Sequence, residues 1–122
     1  MRKILIVDDD QAVREYVLET ARSLGYGAWT CGSAEEALAF VRDWHPDVVI
    51  ADYQLPGMDG IGLVLKVRSD YQTPVVLMSG NPEAANRARE LGIGFIGKPF
   101  NMHELKTVLG FANSESRLSS AT

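Results

Sequence analysis

Ile4-Leu5-Ile6-Val7-Asp8-Asp9-Asp10 decides how this chain is read: four apolar residues, three of them β-branched, run straight into three carboxylates. So short and non-alternating a run has no polar face, which suits a strand buried on both sides of a parallel sheet. Val48-Val49-Ile50-Ala51 before Asp52, and Val75-Val76-Leu77-Met78 before Ser79-Gly80, repeat the pattern. Ala28-Trp29-Thr30-Cys31 and Phe95-Ile96-Gly97, the latter just before Lys98-Pro99, are weaker strand candidates.

The intervening segments carry helical spacing. Val13, Val17, Thr20 and Leu24 share one face, and Gly25 is a stop signal. Ser33 with Glu36 forms a capping box for a second helix, whose Ala37, Phe40, Val41 and Trp44 point inward. Ile61, Val64, Leu65 and Val67 mark a third helix after Gly60. Asn81-Pro82 opens a fourth that Gly92 ends, and Asn101 with Glu104 caps a fifth carrying Leu105, Val108, Leu109 and Ala112. Strands and helices in strict alternation predict right-handed βαβ units and one α/β domain. Four serines and few apolar residues from Asn113 to Thr122 predict a flexible tail or the start of a linker.

The 122 residues suffice for one core without disulfides, but not for a catalytic domain plus a separate binding domain. With 12 Lys+Arg against 16 Asp+Glu, the net charge of -4 argues against direct nucleic-acid or anionic-membrane contact. A single cysteine, Cys31, forms no internal disulfide or thiolate metal site. No apolar run approaches a membrane span, and Met1-Arg2-Lys3 does not open a signal peptide, so a cytoplasmic protein is expected.

In open α/β sheets, ligands bind beyond the carboxyl ends of the strands. There this chain places Asp8, Asp9, Asp10, Asp52, Ser79 and Lys98. Taken singly, each has a plainer reading: Asp10 as a helix cap, Asp52 as a turn residue, Ser79 as a turn hydroxyl, Lys98 as a solvated lysine. Together they form a carboxylate cluster, which costs free energy unless a cation is held. Oxygen-only ligation points to Mg2+.

At this point the chain resembles the receiver domains of two-component response regulators. The resemblance rests on Asp8-Asp9 after the first strand and on Asp52-Tyr53-Gln54-Leu55-Pro56-Gly57-Met58-Asp59-Gly60. Ser79-Gly80 and Lys98-Pro99-Phe100 complete it, and it spans residues 2 to about 112. It implies a flavodoxin-like, doubly wound five-stranded parallel sheet of order 2-1-3-4-5 with five helices. Residues 1–112 would form the receiver, at the N-terminal end, with 113–122 as tail or linker start.

The resemblance also implies a phosphoacceptor switch rather than a turnover enzyme. Asp52 would take a phosphoryl group from a sensor histidine kinase or phosphotransfer protein. Asp8, Asp9, Asp52 and the backbone carbonyl of Gln54 would hold Mg2+, Asp8 mainly through water. Lys98 would pair with a phosphoryl oxygen, and its bond to Pro99 would be cis. Ser79 would move inward on phosphorylation and Phe95 would follow it, Phe standing where Tyr is commoner. The readout, to a downstream protein target or output domain, would be the face of the fourth helix, fifth strand and fifth helix.

Two other classes stand beside this reading. Asp8-Asp9-Asp10 satisfies the Asp-x-Asp pattern of haloacid-dehalogenase-like phosphatases, although Ala12 stands where Thr or Val is usual and no cap domain fits. A receiver fold acting as a binding module without phosphorylation is the other. Gly92-Ile93-Gly94-Phe95-Ile96-Gly97 matches G-x-G-x-x-G in letters only, because a helix precedes it and a strand lies within it. His45 and His103 lack ligand-spaced partners and read as surface. Trp29 and Trp44 read as cover for helix-sheet surface, and Cys31 as a small buried hydrophobe.

Overall fold

Each apolar run becomes a strand, and each segment between them becomes a helix. The computed structural model describes the backbone of residues 2–121 and the side chains of residues 2–110 and 112. In chain order the elements are β1 (Lys3–Val7), α1 (Gln11–Ser23), β2 (Gly27–Cys31), α2 (Ala34–Trp44) and β3 (Val48–Asp52), followed by α3 (Gly60–Asp70), β4 (Val75–Ser79), α4 (Pro82–Leu91), β5 (Gly94–Gly97) and α5 (Met102–Ala121). All strands are parallel, in the order β2-β1-β3-β4-β5. The flavodoxin-like sheet expected from the sequence is therefore the one observed.

Successive residues of each strand supply opposite faces, so one sheet feeds two cores. Leu5, Val7, Val49, Ala51 and Leu77 pack with Ala37 and Val41 of α2, Val64 and Val67 of α3, and Ala88 of α4. Ile4, Ile6, Ile50, Val76 and Met78 pack on the other side with Val17 and Ala21 of α1 and Leu105 and Leu109 of α5. Each fully buried Ile or Leu contributes roughly 2 kcal/mol by removal from water.

The capping signals act as the sequence suggests, except that the Ser33–Glu36 box forms only its Ser33 half among the described hydrogen bonds. Ser33 Oγ accepts from Glu36 N–H, and Asn81 Oδ1 from Glu83 N–H. Asn101 and Glu104 bond reciprocally, each side chain to the other's N–H. Gly92 ends α4 in the left-handed region at φ 68°.

Two expectations need amendment. On α3 the inward face carries Leu63, fully buried, whereas Leu65 is 53% exposed. Leu63, Val64 and Val67 fit one helical face, and Leu65 falls on the opposite side. Trp29 leaves 41% of its surface open, because β2 is an edge strand and α2 covers only part of it. The helical backbone of α5 continues to Ala121. The tail or linker expected at 113–122 falls on residues whose side chains lie outside the described ones. Among the described residues, no helix is long and apolar enough to cross a membrane.

Candidate functional site

The register of the sheet gathers the polar strand ends. Val7 lies beside Ala51, so the next residues, Asp8 and Asp52, leave adjacent strands at the same level. This is where the strand order reverses, β1 passing outward to β2 on one side and β3 to β4 on the other. Ser79 closes β4 beside Gly97 of β5, which brings Lys98 to the same edge.

Lys98 Nζ donates to Asp8 Oδ2 at 2.8 Å and to Asp52 Oδ2 at 3.3 Å. The Asp8 side chain is fully buried, that of Asp52 is 13% exposed and that of Lys98 26% exposed. Buried charges persist only when paired and hydrogen-bonded, and these are. Asp8 Oδ1 accepts from Asp10 N–H at 2.9 Å, and Asp52 Oδ1 from Gln54 N–H at 3.2 Å. Burial pushes the Asp52 carboxyl above its usual value; the Gln54 N–H opposes this, the Asp8 charge adds to it, and Lys98 offsets part. Burial alone would pull Lys98 down, but its bond to Asp8 and the charges of both aspartates hold it above its ordinary value.

Carboxylate oxygens of Asp8, Asp9 and Asp52 all lie within 4.8 Å of one another, with Asp9 exposed at the mouth. Oxygens sharing one Mg2+ at about 2.1 Å lie up to about 4.2 Å apart, so a small contraction lets the three hold one ion. The donor set, hard anionic oxygen with room for water, fits that cation.

Ser79 is buried, and its Oγ accepts from Asn81 N–H at 2.9 Å. The Lys98–Pro99 peptide is cis. Phe95 is half-buried against the core beneath α2, α3 and α4. Asp10 is the N-cap of α1: its Oδ1 accepts from Ala12 N–H and Val13 N–H, so it takes no part in the acid triangle. His45 and His103 are exposed and lie outside the site, and Cys31 is buried.

Two contributors escaped sequence reasoning. Arg14 Nη1 donates to the Asp8 carbonyl at 2.7 Å and so braces the acidic loop from α1. A cation in the first turn opposes the helix dipole, and that misplacement was a usable signal. Gly60 is the other: a Cβ there would lie 2.4 Å from the Asp52 carbonyl and 2.9 Å from Tyr53 Cα. Its N–H also donates to the Tyr53 carbonyl, so α3 starts hard against the backbone that presents Asp52.

Comparison with known proteins agrees with this fold. A family model described as "response regulator receiver domain" matches residues 4–110. A probable transcriptional regulator ycf27 of Guillardia theta is 37% identical over 108 residues, covering 85% of this chain and 42% of that protein. The DNA-binding response regulator MtrA of Mycobacterium leprae is 34% identical over 107 residues, covering 85% of this chain and 48% of that protein. The chain thus spans less than half the length of these curated relatives.

Among solved structures, chemotaxis protein CheY4 of Vibrio cholerae superposes with a TM-score of 0.83 at 33% identity, over 92% of this chain and 98% of that one. NtrX of Brucella abortus gives 0.91 at 33% identity, over 99% of this chain and 29% of that one. A family match over nearly the whole sequence, a sheet of the same order and acids gathered at its switch point lead to one conclusion: the chain belongs to the receiver domains of two-component response regulators.

Proposed function

We propose that Asp52 is the phosphoacceptor and that its modification sets the conformation of the domain. The observation that carries this reading is the single ammonium of Lys98 bridging Asp8 and Asp52 beside a three-carboxylate cluster. An Asp52 oxygen attacks the phosphorus of a phosphohistidine on a sensor histidine kinase or phosphotransfer protein. The P–N bond breaks and its electron pair leaves with the imidazole. In a loose phosphoryl-transfer transition state, positioning and neutralisation supply most of the catalysis. Lys98 contributes a point charge already held at the acceptor. Asp8, Asp9, Asp52 and the Gln54 carbonyl are the residues that would hold Mg2+, with Asp8 mainly through water. When bound, that ion offsets negative charge on the transferring group.

The same parts support a switch. Ser79 Oγ, engaged with Asn81 N–H in this state, would turn toward the new phosphoryl oxygens, and half-buried Phe95 would follow into the space released. The signal would then pass through the α4–β5–α5 face to a downstream protein or output domain, not through direct contact of this domain with nucleic acid. The MtrA relative is named as DNA-binding, and that property belongs to a protein more than twice as long as the matched segment. Against the phosphatase reading, its second acid, Asp10, caps α1 through Oδ1. A phosphoacceptor switch working in the cytoplasm is therefore the reading we favour over a turnover enzyme.

The test is incubation with acetyl phosphate and Mg2+, read by intact-protein and peptide mass spectrometry. One phosphoryl group on Asp52, absent from Asp52→Asn, is expected. An unmodified chain, or modification that persists in Asp52→Asn, would overturn the assignment.

A further inference from the structure

Trp29 is the largest side chain on edge strand β2, yet 41% of it is exposed. Its ring meets Trp44 of α2 edge to face, with centroids 4.2 Å apart, and Trp44 meets Phe40 in the same way at 5.4 Å. With Glu36, Ala39 and Asp43 these three rings line an open groove of about 500 Å3. Outside the groove lining, Lys3 Nζ lies 5.1 Å from the Trp44 ring centroid and donates to the Trp44 carbonyl, so this ring is one that a cation already approaches. Its rim is acidic, with Glu36 and Asp43 two turns apart on one side of α2. Arg42 holds Asp43 at 2.9 Å, whereas among the described residues no ion pair engages the Glu36 carboxylate. A first-turn acid complements the helix dipole, but that role calls for no aromatic neighbours. A peptide adding to the β2 edge as a strand is disfavoured, because Arg22 Nη2 already occupies the Ala28 carbonyl at 3.0 Å.

We propose that this groove docks an arginine-bearing segment of a partner protein, the guanidinium lying against the Trp29–Trp44–Phe40 rings and pairing with Glu36. Charge complementarity selects the occupant. Aromatic faces attract cations, and a carboxylate rim repels acidic or phosphorylated segments. Arginine fits better than lysine, since its planar, weakly hydrated guanidinium stacks on rings and still pairs with a carboxylate. The groove contains none of Asp8, Asp9, Asp52, Ser79 or Lys98, so its fate is independent of the phosphoacceptor reading.

The test is a titration of the 15N-labelled full chain with acetyl-arginine amide, against the neutral isostere acetyl-citrulline amide. Saturable shifts of the Trp29 and Trp44 indole N–H signals with the arginine compound alone are expected. Glu36→Gln should weaken binding about threefold, and Trp29→Ala should remove the Trp44 response while leaving the remaining spectrum in place. Equal response to citrulline would reduce the groove to an apolar slot and overturn the proposal. An unsaturated response up to the solubility limit would do the same. Indole shifts that depend on protein concentration alone would make a second copy of the chain the occupant instead.

Discussion

Asp52 sits in a place that resists its charge. Its carboxyl is held above the ordinary value by burial first, with the Gln54 N–H opposing, the Asp8 charge adding and Lys98 offsetting part. The folded chain therefore binds that proton more tightly than the unfolded chain does. The favourable contribution is full below the unfolded value of 3.8 and is lost as pH rises through the native titration. Asn at this position stays neutral throughout. Asp52→Asn should thus melt above the parent at pH 7 in EDTA, by about 4 °C for each kcal/mol relieved. The gap should close as the pH is lowered past 3.8, where both side chains are uncharged. A variant that melts below the parent at pH 7 would show that pairing with Lys98 outweighs burial. Lys98, also raised, contributes fully below its unfolded value of 10.5 and loses that contribution above it, outside the window of this comparison.

At the scale of elements, three identical letters in sequence do three different jobs. Asp8 is buried against Lys98, Asp9 is exposed in the acid triangle, and Asp10 caps α1. Asp10→Ala should cost about 1 kcal/mol in chemical denaturation, while Asp10→Ser, which can also cap, recovers most of it. Phosphoryl uptake should be unchanged in both, because the bond from position 10 to Asp8 comes from the backbone. A loss of uptake in Asp10→Ser would return Asp10 to the reacting centre. The strand ends were legible because doubly buried strands leave contiguous apolar runs, and the first polar residue after each run faces the ligand edge. The start of α4 was equally legible, since Asn81-Pro82 is a local signal satisfied by local bonds. Leu65 and Trp29 misled because apolar character does not say which face of an element is covered. Arg14 and Gly60 act through contacts with the Asp8 and Asp52 backbones. Spacing along the chain does not display a long side chain reaching back six residues, or a helix start pressed on a strand end.

For the whole molecule, a net charge of -4 is partly a local quantity. Asp8, Asp9 and Asp52 crowd one end of the sheet, and among the described residues a single ammonium answers them. Like charges brought together by folding oppose folding, so a cation that binds only the folded cluster must stabilise the domain. At a free Mg2+ concentration ten times Kd, the linkage relation gives about 1.4 kcal/mol. For a chain of this size that corresponds to a melting point higher by about 5 °C. Asp9→Asn is the discriminating variant, since Asp9 is exposed and its neutralisation disturbs no described hydrogen bond or salt bridge of the fold. Melting curves should show the Mg2+ shift in the parent, a much smaller one in Asp9→Asn, and none with NaCl of matched ionic strength. A shift that NaCl reproduces would make the effect general screening of an acidic surface. A shift retained in full by Asp9→Asn would place the ion elsewhere and leave Lys98, among the described residues, as the charge answering Asp52.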